Sequence, residues 1–181
     1  MDLHIWFAYF AASWAIALSP GSGAVLSMTH GLAYGVKKTS ATIAGLQLGL
    51  SVILLVAGVG VGALLLASAT AFTVVKFAGA GYLIWLGVKQ WRSRVEASVS
   101  SGDAAQSPVG VPSTRERFTT GFLTNVTNPK GIVFMVAVLP QFIDPARALW
   151  LQLLILLVTT VAVDLVVMHG YAFLASRAQA W

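Results

Sequence analysis

Two short stretches decide how this chain folds: Ser19-Pro20-Gly21 near its start and Asn128-Pro129-Lys130 near its end, each inside an apolar segment. Proline has no backbone N–H and clashes with the preceding helical turn, so each stretch predicts an interrupted helix. Within a bilayer, the freed backbone groups are tolerated only where protein or an aqueous cavity surrounds them. Interrupted helices at corresponding positions of two halves therefore indicate the binding site of a transporter.

The composition of the 181-residue chain indicates a membrane location. Hydrophobic residues make up 57% of the chain and charged residues 9%, and the mean hydropathy is +0.82. A soluble domain has about 25% charged residues, so this chain has too little charge to cover a surface that faces water. The sequence therefore predicts an all-α polytopic membrane protein, with the lipid bilayer as its surroundings.

Several classes of chemistry are excluded by what the sequence lacks. The chain has no cysteine, which excludes disulfides, thiolate metal sites and thiol catalysis. Its sequence has no metal-ligand cluster, phosphate loop or nucleophile–base pattern, so we expect neither an enzyme nor a cofactor or metal. The net charge of +5 fits the anionic inner leaflet better than nucleic acid. The oligomeric state is left open, with a homo-oligomer among the options.

Apolar runs predict about five transmembrane helices, and one polar stretch divides them into two groups. The stretch 93–114, rich in Ser, Ala, Gly and Pro, predicts a linker within one membrane domain, 1–181. Three spans precede the linker, so a second unit of the same kind would have inverted topology, yet only two spans follow. We therefore expect a 3+3 inverted repeat, divided into 1–92 and 115–181, that lacks its last helix. The predicted spans are 3–28, 39–66, 70–91, 118–142 and 149–176.

The basic residues predict the orientation of these spans. In a five-span arrangement, one side of the membrane has a single basic residue near the span ends, Arg147. The opposite side has eight. Because cytoplasmic loops carry the excess of Lys and Arg, the richer side and its linker should be cytoplasmic and the N-terminus outside. The first helix has no basic n-region and no clear cleavage site, so we expect it to be retained. The basic residues on the richer side are Lys37, Lys38, Lys89, Arg92, Arg94, Arg115, Arg117 and Arg177.

Asp164 is the acidic residue that lies deep inside an apolar run. A charge at the centre of a membrane helix costs about 2.5–3.5 kcal/mol on insertion scales and usually marks an ion or proton route. Thr160, Met168 and Tyr171 share the helical face of Asp164 by their i+4 and i+7 spacing. We expect a functional role for this face; the alternative is a structural ion pair or a hydrogen bond between helices.

Lys130 and the residues of both breaks are the other candidates for a binding site. At 1.5 Å per residue, Lys130 lies about 18 Å from the cytoplasmic start of its span, near mid-depth. It can attract a substrate carboxylate or pair with Asp164, whereas snorkelling to the interface is difficult from this depth. In the first break Gly21 permits close backbone approach, and the helix that follows exposes N–H groups suited to an anion. The alternative there is a kink for packing.

Gln47 lies between Gly45 and Gly49, a spacing of small residues that lets helices approach closely. We expect packing to be the main role of this motif, with Gln47 as a further candidate for the cavity. Lys76 lies about 9 Å into its span and can either function or snorkel. His30 is expected at a span end and His169 away from the face of Asp164, so neither is given a catalytic role.

Taken together, these motifs resemble the lysine exporter/homoserine-threonine exporter superfamily of bacterial amino-acid efflux proteins. The resemblance covers nearly the whole chain. Ser22 and Gly23, where most members have Pro and Asn, are similar to the homoserine/homoserine-lactone exporter branch, as are residues 159–164 and 170–172. The stretches that carry the resemblance are Ser19-Pro20-Gly21, residues 44–49, residues 76–87, Asn128-Pro129-Lys130, Pro140-Gln141-Phe142 and the Asp164 helix.

The resemblance implies efflux of homoserine, its lactone or related neutral amino acids across the bacterial inner membrane, driven by the proton gradient. In such a transporter Asp164 would bind the substrate ammonium or the coupling proton, and Lys130 would attract the substrate carboxylate. Two alternatives remain: a broader exporter of threonine and similar amino acids, and an inactive or regulatory truncated subunit. The second is motivated by a further C-terminal helix that family members usually carry beyond the position of Trp181. The residues expected to bind substrate are Ser19, Pro20, Gly21, Gln47, Asn128, Pro129, Lys130, Asp164 and Tyr171.

Overall fold

The computed structural model describes residues 1–92 and 111–178, and every regular element in these ranges is a helix. The predicted all-α class is thus confirmed for the described residues. Most of the predicted linker, 93–110, and residues 179–181 lie outside them. The helices are α1 (Leu3–Ala17), α2 (Ser22–Ala67), α3 (Ala69–Arg92), α4 (Thr114–Val126), α5 (Pro129–Phe142) and α6 (Leu149–Ala178).

Both predicted interruptions are present. α1 ends at Ala17, and α2 begins at Ser22, so that residues 18–21 are non-helical around Pro20. α4 ends at Val126 and α5 begins at Pro129, where a missing N–H costs no helical hydrogen bond. α4 and α5 are bent by 54° at this break.

α2 is divided into two arms at Gly35, which has φ 74° and ψ 165°. This conformation is essentially restricted to glycine, because a Cβ would be strained there. The first arm (22–34) and the second arm (36–67) fold back on each other: His30 Nδ1 lies 2.7 Å from Thr42 Oγ1, and a Cβ on Gly23 would lie 3.5 Å from Leu46 Cδ2. The predicted end of the first span at residue 28 was therefore too early, since helix continues to this bend.

The second arm packs closely against α4 through glycines. A Cβ on Gly45 would lie 2.0 Å from the Phe118 carbonyl oxygen, and a Cβ on Gly121 would lie 2.1 Å from that of Thr42. At Gly49 the nearest atom would be Asn125 Cβ, at 2.9 Å. The predicted role of the Gly45–Gly49 spacing in close helix packing is confirmed.

The helices have the length and composition of a membrane protein. Ser22–Leu64 and Leu149–Ala178 are long and apolar enough to span a bilayer, and the bent α4–α5 pair is a third candidate if it forms one span. A straight 43-residue helix would measure about 64 Å, twice the bilayer core of about 30 Å, so the fold-back at Gly35 explains the length of the first candidate.

Two polar clusters mark opposite ends of the helices. At one end Arg147 forms ion pairs with Asp2 and Asp144, which joins the N-terminus to the α5–α6 connection. At the other end the buried Arg117 of α4 donates from Nε to the Lys38 carbonyl oxygen at 3.1 Å. The N-terminus and the loop before α6 thus share one end, and the bend in α2 shares the other with the start of α4.

Candidate functional site

A cavity of about 90 Å³ lies where the two breaks meet. Since about 10–15 Å³ suffices for one water molecule, it has room for several waters or a small polar ligand. Five of the described helices, α1, α2, α4, α5 and α6, and both breaks contribute to its wall. The lining residues are Ser13, Ile16, Ala17, Ser19, Gly21, Gly23, Ala24, Leu46, Leu50, Asn125, Asn128, Lys130, Gly131, Phe134, Met135, Thr160, Asp164 and Met168.

The Lys130 side chain joins the second break to the first. Its Nζ donates to Ser19 Oγ at 2.8 Å, to the Ser19 carbonyl oxygen at 3.3 Å and to the Pro20 carbonyl oxygen at 3.2 Å. These carbonyls follow the C-terminal end of α1, where the helix dipole is negative and favours a cation. Lys130 is half-buried, so its ammonium group exchanges solvent for neutral oxygen acceptors of the first break.

Two asparagines shape the second break. Asn128 Oδ1 accepts from the Lys130 backbone N–H at 3.0 Å and thereby caps α5. Asn125 Nδ2 donates to the Leu46 carbonyl oxygen at 2.6 Å and ties α4 to the second arm of α2. Sequence reasoning missed Asn125, although a polar amide one turn before Asn128 in an apolar run was a usable signal.

Asp164 faces the cavity from α6 and is held by Gln47. Gln47 Nε2 donates to Asp164 Oδ2 at 2.6 Å. Gln47 is 7% exposed and lies behind the carboxylate rather than in the cavity wall. The structure thus brings together two residues that lie 117 positions apart. The sequence had identified each of them as a candidate site residue by a different argument.

Hydroxyl groups line the cavity between α1 and α6. Thr160 Oγ1 donates to the Leu156 carbonyl oxygen at 2.8 Å and so accepts from the hydroxyl of the buried Tyr9. Ser13 also lines the cavity, and its Oγ donates to the Tyr9 carbonyl oxygen at 2.9 Å. Thr160 was expected on the Asp164 face. Tyr9 and Ser13 were missed, because nothing in the sequence of α1 indicates which side faces inward.

Besides Gln47, three predicted site residues lie outside the wall of this cavity. Tyr171 donates from its hydroxyl to the Leu18 carbonyl oxygen at 2.9 Å and so supports the first break. Pro20 contributes its carbonyl oxygen to Lys130. Pro129 lines a wider cavity of about 460 Å³ together with Thr124 of α4 and Thr127, the residue that follows α4. This cavity shares Gly21, Asn128 and Lys130 with the first.

The two charged groups of the cavity do not pair with each other. In the described part of the chain, the ion pairs are those of Arg147, and Asp164 has no cation within 4.0 Å. Lys130 and Asp164 therefore form no ion pair in this structure, and Asp164 instead forms a hydrogen bond between helices, with Gln47 of α2, which is the other structural alternative given for it above. His169 bonds to the Leu165 carbonyl oxygen and lies 3.3 Å from Ser40 Oγ, and it is absent from the cavity wall. The side chain of Lys76 is not among those that the structure describes.

A helical membrane protein whose interrupted helices meet at a polar cavity, with one acidic and one basic side chain in its wall, has the architecture of a membrane transporter. Comparison with known proteins makes this class specific. The chain belongs to the LysE type translocator family, whose model matches residues 14–181. The resemblance found in the sequence is thus confirmed, and the family's description as a translocator agrees with the expectation of a protein that is not an enzyme.

Three relatives illustrate the range of the family. A homoserine/homoserine lactone efflux protein from Salmonella typhi is 46% identical over 182 residues, which cover 100% of this chain and 85% of the relative. An uncharacterized membrane protein from Vibrio cholerae is 44% identical over 179 residues, which cover 98% of this chain and 83% of that protein. A leucine efflux protein from Klebsiella pneumoniae is 33% identical over 136 residues, which cover 75% of this chain and 62% of that protein. No solved structure matches the chain.

Proposed function

We propose that this protein is a secondary transporter of the bacterial inner membrane that exports homoserine, homoserine lactone or related neutral amino acids by proton antiport. The observation that carries the proposal is the presence of Lys130 and Asp164 in the wall of one cavity without an ion pair between them. An amino acid carries an ammonium and a carboxylate group. It can therefore satisfy both side chains at once, which neither a purely anionic nor a purely cationic ligand can do. Homoserine lactone, whose carboxyl group is esterified, would offer Lys130 a neutral carbonyl oxygen instead of a carboxylate.

Lys130 is the group proposed to bind the substrate carboxylate. In the structure its Nζ is held by one hydroxyl and two carbonyl oxygens. A carboxylate forms hydrogen bonds with an ammonium group that are roughly twice as strong as those of neutral acceptors. The substrate carboxylate can therefore compete with Ser19 and Pro20 for Lys130, and its arrival would loosen the connection between the two breaks.

Asp164 is the group proposed to bind either the substrate ammonium or the coupling proton. It is the one carboxylate among the described residues of the cavity wall, and a carboxylate that accepts a proton loses the charge that attracts an ammonium. Occupancy by proton and by substrate would therefore exclude each other. This exclusion is the elementary requirement of antiport, because each ion then leaves before the other binds.

The membrane topology is proposed to have five spans with the N-terminus outside. The first span would consist of α1 and the first arm of α2, and the fourth of α4 and α5. In both, a helix, a prolyl break and a second helix follow in the same order, as expected for the proposed inverted repeat. The shared end of Asp2 and Arg147 would face the periplasm, and the end of Lys38 and Arg117 the cytoplasm.

Reporter fusions at Ala105 and Pro145 test this topology. We expect a cytoplasmic signal at Ala105 and a periplasmic signal at Pro145, since the basic residues lie on the side of Ala105. A cytoplasmic signal at both positions would mean that α4 and α5 form a re-entrant pair rather than a span.

A broader neutral amino-acid exporter is the second candidate function, and the leucine efflux relative favours it. Export assays in cells separate the two. With homoserine, homoserine lactone, threonine and leucine loaded in turn, we expect expression to lower the internal level of homoserine and raise tolerance to it. Comparable export of leucine and threonine would favour the broader function. Unchanged efflux of all four, with membrane expression verified, would contradict both.

The substitution Asp164→Asn tests the site within the same assay. It keeps the size of the side chain and removes its charge, so export should be abolished while membrane insertion remains. Asp2→Asn, which removes an exposed carboxylate at the end of the helices, is the matched control and should export at the wild-type rate. Wild-type export by Asp164→Asn would contradict the proposed role of this carboxylate.

A further inference from the structure

Gln47 is placed to act on Asp164 by the geometry of its helix. Gly45 and Gly49 lie four residues apart and face α4. Gln47 is two residues from each, about 200° around the helix, and therefore projects from the opposite side, toward α6. There its Nε2 reaches Asp164 Oδ2 at 2.6 Å. The motif thus packs one face of the second arm and presents an amide from the other.

The other atom of this amide has no partner. Among the described residues, Gln47 Oε1 is the buried side-chain oxygen or nitrogen that forms no hydrogen bond. Structural glutamines normally satisfy both amide atoms; Gln152, which is 1% exposed, accepts from the Asp144 N–H and donates to the Asp144 carbonyl oxygen. The amide of Gln47 is thus committed to Asp164 alone.

An amide suits both forms of a carboxyl group. A charged carboxylate can only accept, and the Nε2 of Gln47 donates to it; a protonated carboxyl group has an O–H to donate, and an amide oxygen accepts it. Rotation of the terminal amide by about 180° exchanges the two atoms, and this torsion is soft. Either orientation leaves one amide atom without a partner, so the orphaned atom favours neither form of Asp164.

Among the side chains that the structure describes, the charged and titratable groups on the helices around Asp164 are engaged elsewhere. Lys130 of α5 binds the first break, and Tyr9 of α1 binds Thr160. On α2, His30 bonds with Thr42. On α6 itself, His169 bonds with the Leu165 carbonyl oxygen, and Tyr171 bonds to Leu18. Gln47 is therefore the direct partner through which the protein acts on Asp164.

We propose that Gln47 is a positioning residue that allows Asp164 to exchange its proton, donating to the carboxylate when it is charged and accepting from it when it is protonated. This inference rests on the proposed function, in which Asp164 binds the coupling proton. It assigns to Gln47 the task of holding both forms in one place. A Gln47 that only filled space between α2 and α6 could be replaced without a change in the titration of Asp164.

The titration of Asp164 can be followed without transport by infrared spectroscopy of the purified full-length protein in detergent. The carbonyl band of a protonated carboxyl group that disappears in Asp164→Asn belongs to this residue. The measured quantity is the pH at which half of that band is present. Because it needs no substrate, the result stands even if the wild-type protein exports none of the amino acids tested, and the two proposals fail separately.

Gln47→Met keeps the length of the side chain and removes the amide. A hydrogen bond to a charged group is about twice as strong as one to a neutral group, so its loss disfavours the carboxylate. The midpoint should move to higher pH by roughly one unit, a tenfold change in proton affinity. Gln141→Met is the matched control, because the amide of Gln141 bonds to the Ala137 carbonyl oxygen of its own helix, and its midpoint should equal that of the wild type.

A second variant protects the test against misfolding. Gln47→Asn keeps the amide but shortens its reach by one methylene, and it should shift the midpoint in the same direction as Gln47→Met. An unchanged midpoint in whichever of the two variants folds would overturn the proposal. The pH profile of export by the same variants provides a further readout, which should move together with the infrared midpoint.

Discussion

The two prolyl breaks differ in how their backbone groups are satisfied. At the second break the chain provides for itself: the Asn128 side chain caps α5, and the Thr127 hydroxyl donates to the Leu123 carbonyl oxygen at 2.7 Å. At the first break Gly21 has no side-chain cap, and the carbonyl oxygens of Ser19 and Pro20 accept from Lys130. The first break thus depends on a residue of the second, while the second does not depend on the first.

This difference separates a fixed part of the site from a part that can respond to a ligand. Asn128 and Asn125 are bonded within their own region and to α2. The Ser19 and Pro20 carbonyls of the first break accept from the long side chain of Lys130, which also lies in the cavity wall. A ligand that occupies Lys130 would therefore change the first break before the second.

Among changes at the two breaks, the largest effect should come from Lys130→Met, which removes the cation that donates to Ser19 and Pro20. Hydrogen bonds to a charged group contribute about 1.5–3 kcal/mol, and the substrate carboxylate loses its partner as well. Export should fall by at least about tenfold, since about 1.4 kcal/mol corresponds to that factor. Lys37→Met, at the exposed bend of α2, is the control for loss of a lysine. Equal export rates in the two variants would remove Lys130 from the account.

The packing that brings the two breaks together should be the next most sensitive feature. Gly45→Ala adds a Cβ 2.0 Å from the Phe118 carbonyl oxygen, so α2 and α4 must separate, at a cost of about 1–3 kcal/mol. Gly60→Ala in the same arm meets no atom within 4 Å and gains about 1 kcal/mol in helix propensity. Thermal unfolding in detergent should therefore shift in opposite directions. A higher unfolding temperature for Gly45→Ala would show that this contact is not close.

Removal of the self-contained cap should have a moderate effect. Asn128→Ala deletes the acceptor of the Lys130 N–H, and loss of an N-cap costs about 0.5–2 kcal/mol. We expect lower thermal stability with Lys130 still bound to the first break. Ser113→Ala removes the equivalent cap at the start of α4, far from the cavity, and should lower stability by a similar amount but leave export unchanged. An unfolding temperature of Asn128→Ala equal to that of the wild type would show that the second break does not need its cap.

Ser19→Ala should have the smallest effect. It removes the 2.8 Å hydrogen bond from Lys130 but leaves the carbonyl oxygens of Ser19 and Pro20 as acceptors. A net contribution of about 0.5–1.5 kcal/mol for one hydrogen bond predicts a decrease in export of a few-fold. A loss as large as that of Lys130→Met would mean that the hydroxyl, rather than the cation, is the essential group.

The sequence predicted the interruptions because proline acts locally, through a missing donor and a clash within one turn. It also identified Lys130 and Asp164, since an ionisable residue in an apolar run is conspicuous by itself. The partners of these residues could not be predicted: the contacts of Lys130 with Ser19 and of Asp164 with Gln47 join positions more than 100 residues apart. They depend on how the helices pack. The predicted spans 3–28 and 39–66 placed a connection around Gly35, but the sequence did not show that helix continues on both sides of this one glycine.

The central claim is that the two breaks lie side by side, with Lys130 between them. The chain has no cysteine, so this claim can be tested by introducing Ser19→Cys and Lys130→Cys together. A short thiol-reactive cross-linker then takes the place of the lysine side chain, and a protease site inserted at Ala105 allows the two halves to be separated. We predict that cross-linked halves stay together on a denaturing gel after cleavage, as they should for the contacting pair Asp2→Cys and Arg147→Cys. In the protein with Ser19→Cys and Arg147→Cys, whose positions are separated by the length of α1, the two halves should separate on the gel. Separation of the Ser19–Lys130 halves, with both thiols shown to be reactive, would contradict the account.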